Sequence, residues 1–204
     1  MPRIRYHASL LALVALVFTS VGCDAIAEKL GVDKVNVPLT SVGSLGVNGE
    51  TPALKTATVS RDGGNLPNVF DVKSIAITPA DVSWTTTSKS SAASGTVHLL
   101  LLLKRSGNWI PFVNGTATIT NDQVTAVSPS LYALSQAARD AVGRIPAAQR
   151  PSLDYANGKS VSQLSDEIEA ALRAQGIEVN LIVWGSPGLK GNVTFNKIQV
   201  NLDF

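Results

Sequence analysis

The run Gly95–Lys104, GTVHLLLLLK, constrains the fold of this chain more than any other segment. Read as a strand, it puts Val97, Leu99, Leu101 and Leu103 on one face and Leu100 and Leu102 on the other. Successive strand side chains point to opposite sides, so a strand apolar on both faces must be covered twice. Turn-forming residues flank it, and its length suits a strand better than a helix. The chain therefore needs a sheet with this strand near its centre and apolar material on each side.

The neighbouring pattern supplies the sheet. Val35, Val37 and Leu39 alternate with polar residues, and Pro38 suggests an edge position. Ser41–Pro52 reads as a Gly- and Ser-rich loop, Leu54–Ser60 as a weak strand, and Asp62-Gly63-Gly64-Asn65 as a turn. Val69–Thr78 and Val82–Thr86 are further strands, separated from Gly95 by the polar loop Ser88–Ser94. After the central run, turn signals at Ser106-Gly107-Asn108, Asn114-Gly115 and Asn121-Asp122 divide the chain into a meander ending near Val127. Pro111 marks an edge or a bulge in it.

At Ser128-Pro129 the period changes from two to that of a helix. Leu131, Leu134, Ala138, Ala141, Val142 and Ile145 share one face, with Gly143 as a stop. A second helix follows the loop 144–159. Ser160 and Gln163 have capping-box spacing, Val161, Leu164, Ile168 and Leu172 form its apolar face, and Gly176 ends it. Ile177–Val183 and Asn192–Phe204 close the chain as strands, the latter slipping phase at Asn196-Lys197 as at a β-bulge. The expected class is α+β, mainly β: an antiparallel sheet or sandwich of about 8–10 strands in one domain, residues 34–204. Its two amphipathic helices, about 130–143 and 161–175, precede two C-terminal strands.

The first residues have a different character. Arg3 and Arg5 precede the apolar run Ala8–Val21, which is shorter than the ~20 residues a membrane-spanning helix needs. Positive start, apolar middle and small residues toward Gly22 have the anatomy of a secretory signal peptide. The stretch Ser20-Val21-Gly22-Cys23 resembles the lipobox of bacterial lipoproteins, with Ser20 standing where Leu is usual. That resemblance covers residues 1–23. It implies a signal peptide over 1–22, a lipidated Cys23 as first mature residue, and a tether over 23–33. It also implies a protein held by its acyl chains on a membrane of the bacterial cell envelope, outer or inner, facing the periplasm or the surface. In enteric bacteria, Asp24 after the cysteine resembles the signal for retention on the inner membrane.

Charge and composition narrow the chemistry. The chain has 17 basic and 15 acidic residues, and no acid accompanies Arg3 and Arg5 before Cys23. The remainder is formally neutral, with its basic residues scattered, which argues against nucleic acid as a partner. Cys23 is the one cysteine and His98 the one histidine after it, so disulfide frameworks and His/Cys metal sites are excluded. Asp166, Glu167 and Glu169 read as a solvated helix face, and the spacing of Gly43, Gly46 and Gly49 is not that of a phosphate loop. His98 inside the apolar strand reads as a core residue rather than a catalytic base, and Gly185-Ser186-Pro187-Gly188 as a turn rather than a nucleophile elbow. No catalytic residue, metal or cofactor is assigned.

A non-catalytic binding or interaction role is the expected function, with a lipid or another envelope protein as partner. Two ligand readings stand beside it. Leu99, Leu101 and Leu103, with Leu131, Leu134, Leu164, Ile168 and Leu172, could line a cavity for a lipid or other hydrophobic ligand. In outline, a strand-rich lipoprotein with a late helix before its last strands resembles the tubular lipid-binding superfamily. Alternatively Trp84, Trp109 and Trp184 could form a glycan-stacking platform, making the domain a carbohydrate-binding module.

Overall fold

The computed structural model describes residues 34–61, 71–132, 134–153, 161–173 and 176–203. The leader, Cys23, the tether, the turn 62–65 and the cap at Ser160 lie outside them, as does the side chain of Leu164. Nine strands form one antiparallel sheet: β1 (Lys34–Asn48), β2 (Ala53–Arg61), β3 (Asp71–Ala76), β4 (Val82–Thr86), β5 (Gly95–Arg105), β6 (Asn108–Thr120), β7 (Gln123–Leu131), β8 (Gly176–Gly185) and β9 (Lys190–Asp203). Their order is β3-β9-β1-β2-β8-β5-β6-β7, with β4 also paired to β9. Helices α1 (Gln136–Arg144) and α2 (Val161–Leu172) lie between β7 and β8. The described residues are thus mainly β, with two α-helices.

The strand GTVHLLLLLK is β5, and it sits between β8 and β6 with both faces covered. Leu100, Leu101, Leu102 and Leu103 are each fully buried. The sheet curls until its ends meet, with β3 and β4 lying against β7. Thr86 at the end of β4 donates its hydroxyl to Asp122 in the β6–β7 turn. The Asp122 amide also donates to the Ala93 carbonyl at 3.0 Å. Curling gives β5 an inner and an outer face, and a different helix serves each.

On the inner face, Val97, Leu99, Leu101 and Leu103 join Phe112, Ile119, Leu181, Phe195 and Ile198 in the main core. Helix α2 plugs it, packing against β3, β5 and β6 and burying Ile168, Ala171 and Leu172. The Arg61 side chain donates to the Leu172 carbonyl at 3.0 Å, satisfying an orphan acceptor at the end of α2. On the outer face, Leu100 and Leu102 with Ile182 and Trp184 of β8 are roofed by Ala138, Ala141 and Val142 of α1 and by Ile145. Ser135 caps α1, accepting the Ala138 amide at 3.2 Å. Arg150 ties its other end, donating to the carbonyls of Gly143 at 2.6 Å and Ile145 at 3.0 Å.

Several sequence expectations need correction. Ser41–Asn48 is not a loop but the second half of β1, paired with β9 from Gly43 opposite Phe195 to Asn48 opposite Lys190. Val42, Leu45 and Val47 are buried there, so packing overrides the weak local propensity. Asn114-Gly115 is no turn either: β6 runs through it, with Gly115 opposite Leu99 on one side and Pro129 on the other. Gly115 serves close approach, since a Cβ there would lie 3.1 Å from the Ser128 carbonyl oxygen and 3.2 Å from Pro129 Cα. The first helix begins at Gln136 rather than near 130, because Ser128–Leu131 continue β7 along Val113–Thr116. Pro129 is tolerated in β7 because this strand stands at the end of the strand order.

Other turns fall where the pattern put them. Ser106-Gly107 and Asn121-Asp122 have positive φ at both positions, the two-residue hairpin geometry that follows the sheet's twist. Beside Pro111 the register slips between Leu101 and Leu102, leaving Phe112 as a bulge residue. Near Asn196 a register shift is also present, but the surplus residue is on β1, between Thr40 and Gly43. Helix α2 ends at Leu172, and Gly176 opens β8 instead of closing the helix.

Candidate functional site

Where α1 meets the ends of β5 and β8, the outer face opens into a cleft of about 310 Å³. His98 and Trp184, directly opposed across β5 and β8, form its floor with their rings stacked at 5.0 Å between centroids and 5° between planes. Trp184 is 4% exposed and belongs to the outer cluster, whereas His98 is half-buried. Burial pushes the His98 imidazole below its ordinary pKa, favouring the neutral ring.

One wall is a face of α1: Ala137, Asp140 and Arg144, at the i, i+3, i+7 spacing that puts residues above one another on a helix. The other wall is made by two loops, with Glu50 from the β1–β2 turn and Gly185-Ser186-Pro187 from the β8–β9 turn. These loops are laced together, since Gly49 donates its amide to Leu189 at 2.8 Å and accepts that of Gly185 at 2.7 Å. Gly49 and Gly188 hold positive φ, which lets both turns pass closely.

The Ser186 hydroxyl accepts the Thr96 amide at 2.9 Å and donates to the Thr96 carbonyl at 3.3 Å. It anchors the turn to β5, so the segment is the turn the sequence suggested and its oxygen is engaged in structure. Asp140 accepts from the Gln136 side chain at 2.7 Å. Ion pairs elsewhere include Lys73–Asp203 at 3.2 Å and Lys104–Glu178 at 2.8 Å, both away from the cleft. Among the described residues no group of three or more His, Cys, Asp or Glu side chains could hold a metal ion.

The hydrophobic set proposed from sequence is divided by the fold. Leu99, Leu101, Leu103, Ile168 and Leu172 do come together inside the curl, with Leu131 packed beside them. They pack against one another there. Leu134 belongs to the outer cluster, on the other side of β5. The tryptophans are separated as well. Trp84 packs on the inner core over Gly191, while Trp184 and Trp109 lie at opposite ends of the outer face. Trp109 is stacked under the Lys104 ammonium, 5.7 Å from the ring centre. Three dispersed rings do not make one flat platform.

Glu50, Asp140 and Arg144 were not singled out in the sequence. Asp140 and Arg144 do carry a readable signal, charges on the polar side of a helix whose apolar side includes Ala138 and Ala141. Glu50 carries none, because its place follows from the pairing of β1 with β9.

Fold and site together define a curled, mainly β fold with a buried apolar cluster inside and a small polar cleft on its outer face. No family model, curated protein or solved structure matches the chain. No helix among the described residues is long and apolar enough to cross a membrane.

Proposed function

We propose that this chain is a membrane-anchored lipoprotein of the bacterial envelope whose folded domain acts by binding, and that the outer-face cleft is its recognition site. The anchor rests on the sequence of residues 1–23, with Cys23 as the lipidated position. Several acyl chains, at ~0.8 kcal/mol per buried CH₂, suffice for stable attachment.

The observation that carries the binding role is the cleft itself, a concave site with an aromatic floor and charged walls. Its volume is at the small end of ligand sites, enough for a metabolite-sized molecule. His98 stacks on Trp184, and the Ser186 hydroxyl of the lining is hydrogen-bonded to Thr96, an arrangement that supports a binding role for the cleft.

Two experiments test this reading. Cells expressing the chain are fed a labelled fatty acid. Label on the wild type and none on Cys23→Ala supports the anchor, and an unlabelled wild type refutes it. Native mass spectrometry of the purified protein tests the binding half. A small polar mass lost in Ala137→Trp, which fills the cleft, supports the site. A retained acyl lipid would move the reading to a hydrophobic-ligand carrier loaded inside the curl.

A further inference from the structure

The lining of the cleft specifies more than size. Arg144 projects from the α1 wall and Glu50 from the facing turn, while Asp140 stands one helical turn before Arg144. All three are exposed. Arg144 and Glu50 stand on opposite walls, so a ligand lying across the cleft can meet a cation at one end and a carboxylate at the other. Between them lies the half-buried His98 ring stacked on Trp184, an aromatic pair that a planar or apolar group can pack against.

We infer that the cleft binds a small zwitterion, a molecule with a carboxylate for Arg144, an ammonium for Glu50, and a planar or apolar group that packs against His98. Free amino acids and the ends of short peptides have this chemistry. At roughly 30 Å³ for each water in the liquid, the 310 Å³ cleft holds about ten waters, room for one amino acid or a dipeptide. The guanidinium can take a carboxylate through two parallel N–H bonds, which fixes the ligand's direction across the cleft.

This inference rests on the cleft being the binding site, and the test separates the two. Titrations of the full chain in detergent, followed by calorimetry, use L-phenylalanine and its two half-ligands, phenethylamine and 3-phenylpropionate. The expected result is binding of phenylalanine, with each half-ligand weaker by about two- to fivefold, the worth of one exposed charge pair. Arg144→Gln should abolish the advantage of phenylalanine over phenethylamine, and Glu50→Gln should reduce its advantage over 3-phenylpropionate. Both positions are exposed, so neither substitution threatens the fold.

Half-ligands that bind as well as phenylalanine would overturn the zwitterion while leaving the cleft as a site. Phenylalanine binding that is unchanged in Arg144→Gln, Glu50→Gln and Ala137→Trp would overturn the zwitterion and the cleft together. No detectable binding of any of the three probes would also overturn the zwitterion. In that case the native mass measurement still decides whether the cleft holds a ligand of another class.

Discussion

The two faces of β5 are built from the same residue type and do different work. Inside, Leu99, Leu101 and Leu103 meet side chains from strands around the curl and from α2, so their neighbours come from distant parts of the chain. Outside, Leu100 and Leu102 meet β8 and a nine-residue helix held at its ends by Ser135 and Arg150. The inner face of β5 is apolar from Val97 to Leu103, whereas the outer one passes within a few residues from Leu102 to His98 and the cleft. The difference teaches that a doubly apolar strand can divide its labour: one side holds the domain, and the other supports a site at its margin.

Truncation should separate the faces most sharply. Leu101→Ala, fully buried inside, should cost about 4 kcal/mol and lower the melting temperature of the whole domain. Leu102→Ala should cost about 3 kcal/mol, with faster amide exchange concentrated in α1. Equal effects on α1 from both variants would break the comparison.

Next in size is Gly191→Ala on the inner side. A Cβ there would strike the Trp84 ring and come 2.7 Å from the Thr85 carbonyl oxygen. Relief requires moving the indole or β4, at about 1–3 kcal/mol in a denaturant titration. The outer roof is probed more gently by Ser135→Ala, which removes the cap of α1 and should cost about 1 kcal/mol. Exchange in α1 should rise while β6 and β9 are unaffected.

The smallest effects are electrostatic and of opposite sign on the two sides. Folding holds the His98 pKa below its ordinary value of about 6.5, by burial. The unfolded chain therefore takes up the proton first, so this stability is present above pH 6.5 and is lost as pH falls through the folded pKa. His98→Asn should flatten that part of the stability–pH curve. Glu169 on α2 has its pKa raised by burial and by the nearby carboxylates of Asp71 and Asp166. Its stabilising contribution is complete below the ordinary carboxyl range and is lost as pH rises through the folded pKa. Glu169→Gln should accordingly raise the melting temperature slightly at pH 7.

How much of this the sequence announces depends on whether a signal is local. The double covering of β5 was legible because burial on both faces leaves a continuous apolar run. So were the hairpins at Ser106-Gly107 and Asn121-Asp122, whose residues tolerate the positive φ that those turns require. Ser41–Asn48 was not, because Gly43, Ser44 and Gly46 disguise a strand whose pairing with β9 comes from nearly the far end of the chain. Asn114-Gly115 misled for the converse reason: a dipeptide with turn chemistry was used for its lack of bulk beside Pro129. In the site, His98 and Trp184 were visible as residues, but their stacking follows from the β5–β8 register and the cleft from loops joining other strands. The leucine pattern gave β5 two faces, yet it did not say which helix would take which.

The division of labour between the faces is tested most directly by amide hydrogen exchange of the full chain with and without saturating L-phenylalanine. Slowed exchange is expected in α1 and in the turn 185–188, with α2, β3 and β9 unchanged. Protection centred on α2, β3 and β9 would place the ligand inside the curl and contradict this division.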